Sequence, residues 1–479
     1  MMKPRHFIGG YWVEGSGSDR IPVDNPATGE VFESVPAGGK EEANKALDAA
    51  ISAARIWTKT PAFERANYLV KVAGLLRDRV DSFAETIMQE QGKPLSQARG
   101  EVLGTALQLE YHSQWARRIE GDTIASDNPG EQILILRVPA GVVVGLIPWN
   151  YPLSLTARKV APALIAGNTI VVKPHEITPL SALRLAALFE EAGLPKGVLN
   201  VVTGRGLEVG AALVGDRRTN LITLTGSVRA GREIMRSAAD NVTQVSLELG
   251  GKAPLIVCED ADLDYAAERA AFSRFRNCGQ VCTCNERTYV DAKVYDAFLE
   301  RFQQRVKALR VGQPQSDPDV GPKVSKPELE KVEAMLARAV DQGARVVVGG
   351  GRPKDAPTKG GYWFEPTIIT DLSPSMDIVR EEVFGPIASV LRFSDFDDAL
   401  AQANDSDYGL SAYLFTKDYR RVVRAMSELE FGEVFVNRVG PEAIGAHHTG
   451  YRRSGIGGDD GRYGLETYLK KKTIYLSPN

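Results

Sequence analysis

The chain has 479 residues, 43% hydrophobic and 25% charged, which is ordinary globular composition and enough to bury sizeable cores without disulfides. Its formal net charge of −3 gives no electrostatic footprint for nucleic acid or an acidic membrane. The opening MMKPRHFIGGYWVEGSG lacks an apolar core of signal-peptide length, and stretches such as 141–148 are too short to span a bilayer, so a cytoplasmic protein without a membrane partner is expected. In chain order, residues 41–120 carry apolar residues at three- and four-residue steps and predict helices. EQILILRV (131–138) then reads as a strand. From Gly141 the rhythm changes: GVVVGLI, NTIVVK, VLNVVTG, NLITLTG and VTQVSLELG alternate with helical runs, which implies a parallel sheet covered by helices. After Gly251 the habit repeats with PLIV, a helix at 262–277, RTYVDA and VYDAFLERFQQRVKAL, a second α/β domain. The closing KKKTIYLSPN reads as a strand-like tail able to pair with another element or subunit.

Ligands of open α/β sheets bind at the carboxyl ends of the strands, so the residues there carry the first candidates. Gly204-Arg205-Gly206-x3-Gly210 is a glycine-rich turn entering a helix, but its third glycine falls one residue late for the dinucleotide fingerprint. It is either a phosphate cradle or a turn that needs glycine backbone angles. Gly226-Ser227 opens the next helix, where free N–H groups suit a pyrophosphate or Ser227 is a plain N-cap. Lys173-Pro174-His175-Glu176 follows NTIVV. Its lysine and glutamate either hold the hydroxyls of an adenosine ribose, the carboxylate repelling a 2′-phosphate, or form a solvated charge pair.

Cysteines at 258, 278, 282 and 284 form no secretory framework, and C-x3-C-x-C lacks zinc spacing; no metal site is expected. Any of the three clustered thiols is either a nucleophile on an exposed loop or a buried small hydrophobe. Glu248, in LELGG, places a carboxylate in an apolar segment, where a raised pKa suits a general base. Asn150, in PWNYP, puts an amide at a strand end, a plausible oxyanion donor.

PWNYP, KPHE, LTGS, LELGG, GQVC, EEVFGP and GYRRSGIGG, in this order, resemble the aldehyde dehydrogenase superfamily from residue 7 to the C-terminus. The resemblance implies an α/β fold: a Rossmann-like NAD-binding domain (1–120 and 140–250), an α/β catalytic domain (251–458) and a small β oligomerisation arm (121–139 and 459–479). Assembly as a homodimer or homotetramer goes with that arm. It implies Cys282 as nucleophile, Glu248 as base, 34 residues earlier (282 − 248 = 34), and Asn150 as oxyanion amide. NAD is the implied cofactor, contacted by Trp149, Lys173, Glu176, Ser227, Glu382 and Phe384, with Gly206, Gly210, Gly226 and Leu249 lining its path. Cys278 and Cys284 would be structural. His175 stands where serine or alanine is commoner, and leaves Glu176 in place.

Within the superfamily, WARRIEGD, CTC and NRVGPEAIGAHHTGYRRSGIGGDDG resemble the bacterial lactaldehyde and glycolaldehyde dehydrogenases. In that subgroup Arg158, Glu442 and His448 would surround a small hydroxylated aldehyde, with succinate semialdehyde as the competing substrate. Arg158 and Glu442 are equally a salt bridge bracing helix and loop. Thr283 departs from the subgroup, where asparagine fits better.

Overall fold

The computed structural model describes residues 3–477. The helical run after residue 40 forms Lys40–Trp57, Ala62–Asp78, Val80–Gln91 and Leu95–Ser113. Beyond it the chain builds an eight-stranded sheet whose five central strands are parallel, in the spatial order Leu199–Val201, Thr169–Lys173, Val142–Leu146, Leu221–Thr225, Gln244–Glu248. The order reverses between Val142–Leu146 and Leu221–Thr225: the chain first adds strands on one side, then crosses to the other. Such a switch point opens a crevice at the carboxyl ends, where PWNYP, Lys173, Gly226 and Glu248 lie. These strands read as unbroken apolar runs because helices cover both faces; Thr169–Lys173 and Val142–Leu146 are buried throughout.

Glu248 ends a strand of the first sheet, and five residues later Ala253 begins one of the second. That sheet has seven strands, all parallel except the edge strand Arg345–Val348, with Ala253–Val257 between Asn285–Asp291 and Ser411–Phe415. Two glycines make the join possible. A Cβ on Gly251 would sit 2.4 Å from the carbonyl oxygen of Cys282, and one on Gly250 would sit 2.5 Å from Glu382 Oε2. The GIGG motif returns to the same place: Gly455–Ile456 pairs antiparallel with Leu247 and Glu248, and Leu249 N–H donates to the Ser454 carbonyl at 2.8 Å.

A third sheet joins Asp122–Ala125, Gln132–Pro139 and Leu469–Leu476. Its C-terminal part is shorter than the expected 459–479. Asp459 and Asp460 are buried, and Leu465 and Tyr468 pack into the core beneath the first sheet, so the third sheet takes up the chain only from Leu469. The last two residues of the predicted tail lie outside the described residues. Among the described residues, no helix is long and apolar enough to cross a membrane.

Candidate active site

The turn after Val142–Leu146 is held from below. Pro152 opens the helix Pro152–Ala166, and no side chain of its own caps it. Glu101 fills that need: its Oε1 accepts the N–H groups of Leu153 (2.9 Å) and Ser154 (3.2 Å), otherwise unsatisfied at a helix start. Lys93 Nζ pairs with the other oxygen at 2.5 Å, donates to the Asn150 carbonyl at 2.9 Å and lies 3.7 Å from the Tyr151 ring centroid. Sequence reading missed this buried pair, since a lysine and a glutamate eight residues apart on separate segments carry no motif. Asn150, so fixed, donates one amide hydrogen to the Gln280 carbonyl at 3.0 Å and keeps its second for a ligand.

Gln280 belongs to the cysteine loop. Asn277, Cys278 and Gly279 follow one another with φ of 50°, 56° and 70°, a left-handed run that costs non-glycine residues about 1–3 kcal/mol each. Side chains hold it there: Gln97 accepts from Asn277 N–H (2.9 Å), Asn277 donates to the Asn150 carbonyl (3.1 Å), and Gln280 accepts from Val324 N–H (2.9 Å). The loop separates the thiols. Cys282 alone of the four cysteines is not buried. Burial pushes Cys278 up to about 11 and Cys284 to about 12, both neutral thiols near pH 7, and Arg274 donates to the Cys284 sulfur at 2.9 Å.

Cys282 is among the groups that favour the charged form of His448, whose Nε2 lies 3.5 Å from Glu248 Oε2. Glu248 is buried, and neither carboxyl oxygen has a hydrogen-bond partner among the described residues. Desolvation raises its pKa to about 8, against the pull of His448, Lys159 and Arg158 and with that of Asp459. A carboxyl poised near neutrality with free lone pairs can take a proton from a water. Cys282, Glu248 and the Asn150 amide thus lie together at the seam between the two sheets.

Lys173 Nζ pairs with Glu176 Oε2 at 2.8 Å; burial opposes the charge of Glu176, but Lys173 and His175 hold it down to about 2. Burial lowers His175 to about 4, so it is neutral near pH 7. Ser227 caps the helix Val228–Ala239, accepting from Ala230 N–H at 3.2 Å, and Gly226 N–H donates to the Glu248 carbonyl at 2.9 Å. Trp149 and Phe384 meet edge to face at 5.3 Å, and Glu382 accepts from Gly251 N–H at 2.7 Å. Leu249 packs beneath Gly231. Gly210 abuts the Lys173 side chain, whereas Gly206 opens an exposed π-helical turn and relieves no close contact.

Of the three expected substrate residues, Arg158 and Glu442 bind each other at 3.0 Å, and Asp460, which sequence reading missed, takes Arg158 at 2.5 Å. The brace is therefore real, and broader than a pair. Lys159 and Asp459 form a second buried pair at 2.6 Å. A further unanticipated cation, Arg276, feels the charge of Glu442 and lies 5.5 Å from the Phe272 ring centroid; its Nε is buried without a hydrogen-bond partner among the described residues.

The aldehyde dehydrogenase family matches residues 12–474. The chain is 46% identical to the 3,6-anhydro-alpha-L-galactose dehydrogenase of Vibrio sp. strain EJY3, over 100% of both chains. It is 45% identical to the lactaldehyde dehydrogenase of Escherichia coli K12, over 98% of both. A solved structure of 3,6-anhydro-L-galactose dehydrogenase in complex with NAP superimposes with a TM-score of 0.97 at 48% identity, covering 99% of this chain and 100% of that one. The chain belongs to the aldehyde dehydrogenase family, and its fold and oxidoreductase chemistry are that family's.

Proposed function

We propose that the protein oxidises a short 2-hydroxyaldehyde, such as lactaldehyde or glycolaldehyde, to its acid with NAD, through a thioester on Cys282. The observation that carries the reaction is the convergence of a partly exposed Cys282, an unpartnered Glu248 carboxyl and a fixed Asn150 amide at one seam. The Cys282 sulfur adds to the aldehyde carbon, and the new oxyanion is met by the free Asn150 amide hydrogen and the Cys282 backbone N–H. NAD, when bound, supplies the hydride acceptor. Glu248 then takes a proton from a water as its oxygen attacks the thioester, releasing acid and restoring the thiol. That free carboxyl argues against transfer to coenzyme A, which needs no water-activating base.

The residues present suit NAD. The Lys173–Glu176 pair stands at a strand end where a ribose fits, Ser227 heads a helix of 12 residues whose N-terminus favours a pyrophosphate, and Glu382 and Phe384 border Gly250–Gly251. The anionic Glu176 favours a free 2′-hydroxyl over a phosphate. Exposed Ile124, Leu136 and Tyr475 on the third sheet support a homo-oligomer built on that arm.

For the substrate, both relatives named above act on aldehydes that carry a 2-hydroxyl, and the polar lining of Glu442, Arg158 and His448 would satisfy such a group, which an apolar funnel leaves unpaired. Arg276 favours a second reading, a semialdehyde whose distal carboxylate it would neutralise. A kcat/KM panel decides. Lactaldehyde and glycolaldehyde should exceed succinate semialdehyde, and the reverse ranking, with Arg276→Ala hurting the dicarboxylic substrate most, would favour the second reading.

A further inference from the structure

Lys93 and Glu101 bury two full charges beside the Asn150 turn, both side chains 0% exposed. Charges so placed are tolerated only where hydrogen bonds replace the lost hydration. They do here. Glu101 Oε1 accepts the N–H groups of Leu153 and Ser154, and its Oε2 takes Lys93 Nζ. The three ammonium hydrogens have that oxygen, the Asn150 carbonyl at 2.9 Å and the face of the Tyr151 ring at 3.7 Å. The lysine is also held by its backbone: it follows Gly92, at φ 88°, and its N–H donates to Gln91 Oε1 at 3.0 Å. Burial pulls Lys93 below the ordinary lysine range and Arg276 adds to that, while Glu101 and Glu90 oppose it.

The Asn150 carbonyl is also where the cysteine loop attaches. Asn277 Nδ2 donates to it at 3.1 Å and reaches the Gln280 carbonyl at 3.3 Å. The same Gln280 carbonyl accepts the Asn150 side-chain amide at 3.0 Å. Ammonium, Asn150 and cysteine loop therefore share one set of hydrogen bonds, which fixes the direction of the unused Asn150 amide hydrogen. The ion pair is oriented as well. Its carboxylate faces the start of the helix Pro152–Ala166, where negative charge is favoured, and its ammonium faces Asn150. In a site shielded from water, a cation held there favours negative charge on an aldehyde oxygen that Asn150 receives.

We propose that Lys93 is a positioning residue for the oxyanion donor: it aims the Asn150 amide and sets a positive potential at the oxygen that becomes anionic when Cys282 adds to the aldehyde. This rests on the reading of Asn150 as that donor. Glu101 serves by holding the ammonium in place, and Asn277 carries the same constraint to the loop of the nucleophile. An oxyanion forms both in thiol addition and in thioester hydrolysis, so loss of Lys93 slows both, whereas loss of Glu248 spares the first. A pair that only stabilises the fold differs in one consequence. Its effect on rate would multiply with that of any other variant, while a residue that acts through the Asn150 amide loses its effect once that amide is gone.

The experiment compares Lys93→Met, Glu101→Gln and the double variant, each with and without Asn150→Ala, by stopped flow with lactaldehyde and NAD. NAD binding by fluorescence and thermal unfolding are measured alongside. The double variant replaces the pair with neutral side chains of similar shape and avoids the uncompensated carboxylate that Lys93→Met leaves. It should bind NAD as wild type does and slow both the NADH burst and the steady state about tenfold. Glu101→Gln keeps the helix cap but loosens the ammonium; it should slow the burst about threefold and carries the test if the Lys93 variants do not fold. In the Asn150→Ala background, itself about a hundredfold slower, each loss should shrink to less than about twofold. A wild-type burst in the folded variants, or the same fold loss with and without the Asn150 amide, overturns the proposal. If Asn150→Ala alone leaves the burst unchanged, the reading of Asn150 falls first, and the two failures are told apart.

Discussion

Glu248 and Glu286 are two buried glutamates, one at the end of each sheet, and they titrate in opposite directions. Burial disfavours the charge of both. Glu286 overcomes it with Lys252 at 2.7 Å, Arg274 at 3.2 Å and the N–H groups of Val383 and Phe384, each at 2.8 Å, and is held down at about 2. Glu248 has only His448 at 3.5 Å and rises to about 8. The difference separates scaffold from chemistry. Both carboxyl oxygens of Glu286 are paired, and one of them holds the backbone of Phe384, at φ 52°. The region around Glu248 leaves lone pairs unused, which is unfavourable for folding and necessary for a base.

The comparison breaks most visibly at the thiols. Cys282→Ala should lower aldehyde oxidation by more than about ten-thousandfold with NAD binding still measurable by fluorescence, whereas Cys278→Ala and Cys284→Ala keep substantial activity. Full activity in Cys282→Ala would remove the chemistry from this region.

Glu248→Gln should slow thioester hydrolysis by about a hundredfold or more while hydride transfer continues, so that a rapid NADH burst precedes a slow steady state. In wild type the hydrolytic step should rise with pH through about 8, as Glu248 loses its proton. A flat profile there would contradict the raised pKa.

Stability should invert the ranking. Glu286→Gln strands Lys252 and Arg274 and should cost about 3–5 kcal/mol by urea denaturation at pH 7. The folded pKa of Glu286 is depressed, so its contribution is present above about 4.5 and fades as pH falls toward about 2. Glu248 is raised, so the stability it contributes is present below about 4.5 and is lost as pH rises through about 8; Glu248→Gln should therefore gain on wild type in alkali. Equal responses of the two variants to pH would erase the distinction.

The smallest effect concerns the far end of the crevice. Glu176→Ser should narrow a preference for NAD over NADP by about tenfold, the worth of one charge-assisted contact. Equal use of both cofactors by wild type would mean that the carboxylate does not face the ribose.

Much of this was legible in the sequence because strand-and-helix alternation and motif order report local structure. The parallel strands, the helices after residue 40 and the separation of Cys282 from its neighbours follow from such signals. The supports did not follow. Lys93, Glu101 and Asp460 act through partners far along the chain, and nothing in their spacing marks them. Arg158 and Glu442 could be paired from the sequence, but the third member at Asp460 could not. Leu465 and Tyr468 are recruited into a core formed by distant helices, which nothing in the local sequence of 459–468 signals.

The mechanism turns on an acyl group on Cys282 that waits for Glu248. Glu248→Gln mixed with lactaldehyde and NAD, quenched during the slow phase and analysed by peptide mass spectrometry, tests it most directly. One lactoyl adduct per chain is expected, on Cys282, formed with the NADH burst. A burst without an adduct, or an adduct on Cys278 or Cys284, would contradict it.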